Sequence, residues 1–382
     1  MMLVSARMTG LRFFLALLIF CCCNLLWAAS PDLSLESEGV KLKVELVAEG
    51  FTVPWAMVFL SPQSMLITER QGFVYRLNLQ TGAKLRLKNL PRVFTAGQAG
   101  LLDLALSPDY SHTGWIYFTY VKAVSSQVVT VLARARLSAD RFSQWQDLLV
   151  TDSHNDSSRH FGSRIAFDNK GHVFFGIGDR GHRPNAQDLS NHAGAILRLN
   201  LDGSVPADNP FVKHNTAKPE IWSYGHRNPQ GLVYDVQNNR LWSNEHGPRG
   251  GDELNLITKA QNYGWPVISY GQEYWGPLAV GEATHRAGMQ QPVKEYTPSI
   301  APGSLLLYNS NAVEQWRGNL FAGALKLRHI NRIVLNSAAQ VVKEERLLEA
   351  LNERIRALAQ SPQGWLYFST DSGKLYRIKP YQ

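Results

Sequence analysis

Two arginines one residue apart, Arg354 and Arg356 in the run NERIR, stand just before an apolar segment near the end of the chain. In an extended backbone residues i and i+2 share a face. Two co-facing guanidiniums can hold a carboxylate or phosphate through forked hydrogen bonds; the same pair also reads as a solvated charged edge. Arg227, in GHRNPQG, and Lys326, closing the run LFAGALK, are further cations in turn-rich settings. His160, in SSRHFGSR, immediately precedes a strand-like run, where an imidazole can take a proton near neutral pH. His226 and His246 compete with it for that role. The turn EHGPRGGDE, from Glu245 to Glu253, offers backbone carbonyls with the carboxylates of Asp252 and Glu253. Such hard oxygen ligands suit calcium, although the stretch reads equally as a tight connecting turn. Other chemistries lack their residues. There is no G-x-S-x-G elbow for a serine hydrolase, no pair of histidines at zinc spacing, and GIGDRG is not followed by a helix as a nucleotide loop would be.

These residues need a scaffold of short strands. Ile221–Pro266 shows the pattern best: two strand-like runs flanked by loops rich in Gly, Pro, Asn, His and Arg, the kind of loops on which chemistry sits. The same hairpin unit recurs six times, beginning near Met57, Leu104, Ile165, Leu232, Leu305 and Ala357. Each copy has an apolar strand, a polar turn and a strand rich in Tyr, Phe, Ile and Trp. Six echoes predict an all-β fold, a six-bladed β-propeller of four-stranded antiparallel sheets, with a pair of β-sandwiches as the alternative. Closing the ring requires the first strand, Lys41–Ala48, or the last, Lys374–Lys379, to complete a shared blade. Helical periodicity is confined to Glu344–Asn352, which also reads as a loop. The long irregular segments are Val93–Leu101, Ser153–Ser163, Arg180–Gly194, Asp202–Pro219, Glu245–Gly251 and Gly271–Pro302; crowded onto one face, they would bring distant residues together.

The chain has 382 residues, 45% hydrophobic and 18% charged, an ordinary globular composition. Residues 1–29 stand apart: Arg7 and Arg12 precede the apolar run Phe13–Trp27, followed by Ala28, Ala29 and Ser30. That is the pattern of a secretory signal peptide, with an uncleaved anchor as the alternative. It predicts a periplasmic or secreted protein whose one catalytic domain spans 30–382. All three cysteines, Cys21, Cys22 and Cys23, lie in the leader, so the mature chain would be held together without disulfides. Its remaining positive balance suits an anionic ligand, and the absence of a Lys/Arg run with interleaved aromatics argues against nucleic acid.

The phrases GQAGLLDLALSPDY, HFGSRIAFDNKGHVFFGIGDRG, YGHRNPQGL, EHGPRGGDELNLITKAQNYGWP and NERIRALAQSPQGWLYFSTD together resemble the quinoprotein glucose and aldose sugar dehydrogenases, secreted six-bladed propellers that use pyrroloquinoline quinone and calcium. The resemblance runs from about Val53 to Ile378. It implies oxidation of an aldose at the anomeric carbon to a lactone, with His160 as general base and Gln98 as its neighbour at the sugar. It further implies that Arg227 and Asn228 contact the quinone, and that Lys326, Arg354 and Arg356 hold the cofactor's carboxylates. By the same resemblance, Gly247 and Pro248 lend carbonyls to the cofactor's calcium, and Glu253 and Tyr263 bind a further structural calcium. A periplasmic electron acceptor of unknown identity would follow, for a monomer or homodimer. One departure is Arg159, where the glucose enzymes place an acid; a nearby cation lowers a histidine's pKa. A metal-dependent propeller lactonase and a non-catalytic binding propeller are the rival readings.

Overall fold

A computed structural model describes residues 33–153 and 155–381. The expected leader, 1–29, lies outside the described residues; among those described, no helix is long and apolar enough to cross a membrane. The described chain is a six-bladed β-propeller of antiparallel sheets, five of them four-stranded and the last five-stranded. The innermost strands are Pro54–Ser61, Leu101–Leu106, Ile165–Phe167, Pro229–Asp235, Pro302–Leu307 and Ile355–Gln360. Five blades then run outward in sequence order, and the sixth does so for its first three strands.

Burial explains the residue pattern. Second strands such as His172–Ile177 (HVFFGI) are covered on both faces by neighbouring blades and so read as apolar runs. Outer strands such as Arg141–Val150 alternate into solvent. The core is not one mass but six clusters, each shared by two adjacent blades. Trp55, Leu66 and Val74 of the first blade, for example, meet Leu101, Leu104 and Phe118 of the second.

The two alternatives for ring closure both operate. Val40–Ala48 pairs antiparallel with Leu375–Pro380, so the first and last strands lie side by side in the sixth blade, and Leu33–Ser37 adds an outer fifth strand. Glu344–Asn352 is not helical: it is the end of the outer strand Val341–Leu347 followed by the single 3-10 turn Glu349–Leu351. Its apolar positions pack on one side of a sheet edge, which mimics helical spacing over so short a run.

Five inner strands carry a register shift near their first residues, between Pro54 and Ala56, Leu101 and Leu104, Pro229 and Gly231, Pro302 and Ser304, and Ile355 and Ala357. A bulge leaves a residue out of the ladder and re-aims its groups. Here they turn inward to one side chain. Arg164, which precedes the sixth inner strand, donates to the carbonyls of Trp55 (3.2 Å), Gln230 (3.1 Å), Gly303 (2.8 Å) and Arg356 (3.2 Å), and to the Asp103 carboxylate (3.0 Å). One buried guanidinium thus bonds all five other blades at the axis.

Antiparallel order fixes which loops share an end. Inner strands start, and second strands finish, at the end that carries Ser153–Ser163, Arg180–Gly194 and Glu245–Gly251. Asp202–Pro219 follows the third strand Ala195–Asn200 and lies at the opposite end. The long segment between Asp252–Ile257 and Lys294–Tyr296 leaves from that far end too, but climbs back: Trp265 and Tyr274 reach the loops of the first.

Candidate active site

Where the bulged inner strands begin, a cavity of about 190 Å³ opens above Arg164. Its walls include Trp55, Arg70, Gln98, Asn228, His246, Arg354 and Arg356. A larger cavity of about 560 Å³ occupies the far end of the channel. Its lining is mostly aliphatic, and its charges, Asp103 and Arg164, are already paired. The unspent polar chemistry is at the first end.

His160 sits on the loop ahead of the third inner strand, buried, with its backbone in the left-handed region (φ 57°). The side-chain oxygen of Gln98 accepts its backbone N–H at 2.8 Å. Its Nδ1 lies 2.6 Å from Asp179 Oδ1. A carboxylate only accepts, so Nδ1 carries the proton and the neutral ring keeps its Nε2 lone pair. Asp179 is itself fixed: Oδ1 also accepts the Gly181 N–H at 2.7 Å, and Oδ2 accepts the Trp265 indole N–H at 2.8 Å. Burial lowers the His160 pKa; Asp179 opposes this, while the positive charges of Arg227 and Arg159 add to it. The imidazole is therefore unprotonated at neutral pH and placed to accept a proton. Gly178 lets the strands close up here, since a Cβ would strike the carbonyls of His160 and Arg227.

Arg227 is buried close by. Its guanidinium donates to the carbonyls of His246 (3.0 Å) and Gly247 (2.8 Å), its Nε has no partner, and Trp265 faces it at 5.3 Å. The Glu245 carboxylate organises the segment, accepting the N–H of Arg227 at 2.6 Å and bonding His226 Nδ1 at 2.9 Å. That contact, with the ring stacked on Tyr263, makes His226 a packing residue. His246 donates Nε2–H to the Pro302 carbonyl at 2.8 Å, and burial pushes its pKa down to about 3. Of the three competing histidines only His160 pairs a carboxylate at Nδ1 with an Nε2 that has no hydrogen bond among the described residues; it does not itself line the cavity, but its neighbours Phe161 and Gly162 and its partner Gln98 do, as does His246. Asn228 lines the cavity, its Oδ1 accepting from Gly162 N–H and Gln230.

Arg354 and Arg356 do share a face, and both grip Asp371: Arg354 Nε at 2.9 Å, Arg356 Nε at 2.8 Å and Nη2 at 3.0 Å. Lys326 is exposed at the same end, next to Leu325, whose carbonyl accepts from Arg354. It does not line the cavity wall itself. Gly247 and Pro248 stand beside Arg227; the Gly247 carbonyl is held by Arg227 and that of Pro248 accepts from the Tyr274 hydroxyl at 3.3 Å.

Glu253 and Tyr263 belong to a separate spot behind the site. Asn255 Nδ2 bridges Glu245 (3.1 Å) and Glu253 (3.0 Å), and its Oδ1 is buried without a partner. Burial and the neighbouring Glu245 charge push the Glu253 pKa up to about 8. Two facing carboxylates and an orphaned amide oxygen are a set that a calcium ion would satisfy. Among the described residues no three His, Cys, Asp or Glu side chains converge as a metal set, so such an ion would also need backbone oxygens. The Tyr263 hydroxyl is committed to Leu256 O and Thr258 N–H, which leaves its backbone carbonyl for that purpose.

Sequence reasoning missed three residues. Asp179 lies in GIGDRG, which reads only as a nucleotide loop lacking its helix, and Trp265 lies in YGWP, which carries no chemical signal of its own. Arg70 begins the turn after the strand Ser64–Glu69; a cation directly after a buried apolar run was the available signal.

The fold and this pocket define a propeller oxidoreductase of the sugar dehydrogenase class: residues 51–377 match the Glucose / Sorbosone dehydrogenase family, and the chain belongs to it. Among its relatives, aldose sugar dehydrogenase YliI of Escherichia coli is 38% identical over 377 residues, covering 96% of this chain and 98% of its own. The solved apo-form of the soluble E. coli aldose sugar dehydrogenase superposes with a TM-score of 0.85 at 36% identity, covering 89% of this chain and 100% of that one. The PQQ-bound aldose sugar dehydrogenase of Streptomyces coelicolor gives 0.73 at 26% identity, covering 89% and 98%.

Proposed function

We propose that this protein oxidises aldoses at the anomeric carbon to lactones, with His160 as the general base and pyrroloquinoline quinone, bound with calcium above Arg164, as the hydride acceptor. When bound, the quinone supplies the electrophilic carbonyl and calcium sharpens it as a Lewis acid. The residues do the rest. His160 Nε2 takes the proton of the anomeric hydroxyl as the C1 hydride departs. Asp179 holds the ring in the tautomer this needs and stabilises the imidazolium that forms. Gln98 fixes the loop at its backbone. Arg227 stands where negative charge develops, and Asn228 supplies an amide N–H₂ on the cavity wall. Arg354 and Arg356, with Lys326 at the rim, would hold the carboxylates, and Gly247 and Pro248 would turn their carbonyls to the ion. With residues 1–29 as a leader, the electrons would pass to a periplasmic acceptor.

The observation that carries this reading is the supported, unprotonated imidazole of His160, whose neighbours Phe161 and Gly162 and partner Gln98 line a cavity richer in guanidiniums than in carboxylates. A carboxylate-lined metal channel, as a lactonase would need, has the opposite balance. The test is to load purified protein with pyrroloquinoline quinone and calcium and follow dye reduction with a panel of aldoses. Turnover with several sugars is expected. A protein that binds the quinone yet reduces no dye with any of them would overturn the proposal. His160→Ala should lower kcat by about 10²- to 10⁴-fold and leave quinone binding intact.

A further inference from the structure

The charge in the cavity does not balance. Both oxygens of Asp371 are taken by Arg354 and Arg356. Arg70 stands in the same wall, from the first blade, and its guanidinium has no hydrogen bond or ion pair among the described residues. It is not a loose surface arginine. Its backbone N–H donates to the Val53 carbonyl (3.2 Å) and its carbonyl accepts from Leu101 N–H (3.1 Å). Gly100 lies so close that a Cβ there would collide with the Arg70 carbonyl and its Cγ, so the stem is pinned. Burial and the nearby Arg356 charge lower the Arg70 pKa, with Asp371 opposing. Three guanidiniums thus face one carboxylate in a partly closed space. Pinning an unpaired cation against like charge costs free energy unless an anion answers it.

We infer that Arg70 is a further cofactor-binding residue, donating to a carboxylate of the quinone from the first blade, across the sixth blade from Lys326. This rests on the proposed cofactor. It adds a residue from the first blade to a grip otherwise built from the fifth and sixth, so the bound polyanion would bridge the junction where the first blade meets the sixth.

The experiment is a titration of the apoprotein with pyrroloquinoline quinone in calcium buffer, read by absorbance and tryptophan quenching without sugar or dye. Arg70→Gln should weaken binding about 10- to 100-fold, the loss of a charge-assisted hydrogen bond. Arg70→Lys, which keeps charge but not the fork, should fall between the variant and the native protein. A folded Arg70→Gln that binds as tightly as the native protein overturns the inference. If Arg70→Gln does not fold by circular dichroism, Arg70→Lys decides: weaker binding supports it and native affinity overturns it. Native protein that shows no binding at all instead removes the cofactor reading itself.

Discussion

A histidine poised as a base is only as good as the groups that set its tautomer and its pKa. Asp179 has two jobs here, orienting Nδ1–H and favouring the imidazolium, and Trp265 keeps it from turning away. Asp179→Asn can place its amide N–H₂ against Nδ1 and favour the wrong tautomer, so kcat should fall about 10²- to 10⁴-fold with quinone binding unchanged. The pH profile has a definite sign. On the proposed mechanism the base works unprotonated, so activity should rise as pH passes upward through the His160 pKa. Arg159 lowers that pKa; Arg159→Gln should raise it and move the acid limb of kcat/KM to higher pH, which a profile on one aldose would measure. A downward move would contradict the assigned electrostatics. At Glu253, calcium should raise the thermal midpoint, by about 2.7 kcal/mol of stability at 100-fold over its Kd. Glu253→Gln should abolish that increment, and by removing one of two facing carboxylates it should leave the calcium-free protein no less stable.

Strands decide whether these residues meet. The inner hairpins were legible in the sequence because each is local and its second strand is buried on both faces, as Val173–Ile177 shows. Outer strands were not: Lys84–Arg86 and Lys294–Tyr296 are three residues each, largely polar, and recognisable only through their partners. The site was legible where chemistry announced itself, in His160, Arg227 and the NERIR pair, with family resemblance assigning the roles. Asp179 and Arg70 stayed hidden because their meaning depends on what lies opposite them in space. Arg164 did so for the same reason, although it stands four residues from His160. The closing strand Val40–Ala48 is testable by itself. Leu42 is fully buried between the fifth and sixth blades; Leu42→Ala should cost about 2–5 kcal/mol, measured by denaturant unfolding, whereas Lys41→Ala, exposed on the same strand, should cost little.

The described propeller is a ring without a central core, and Arg164 takes the place of one. Its contacts reach every other blade, and its pairing with Asp103 is buried. Arg164→Met would leave that carboxylate unanswered and should destabilise by about 3–5 kcal/mol. Adding Asp103→Leu should recover part of the loss, a coupling that a double-mutant cycle would read. Failure of the second change to recover any stability would mean that the carbonyl bonds, not the ion pair, carry the axis.

Because Glu45 and Arg377 must find each other across 332 positions of chain, the circle cannot be completed until residues at both ends of that span have been made. A nascent chain halted before residue 375 would keep both flanks of its sixth sheet uncovered, and a protease or a chaperone would meet it in that state. Recognition of an unfinished chain would therefore turn on the strand Leu375–Pro380, far along the chain from His160.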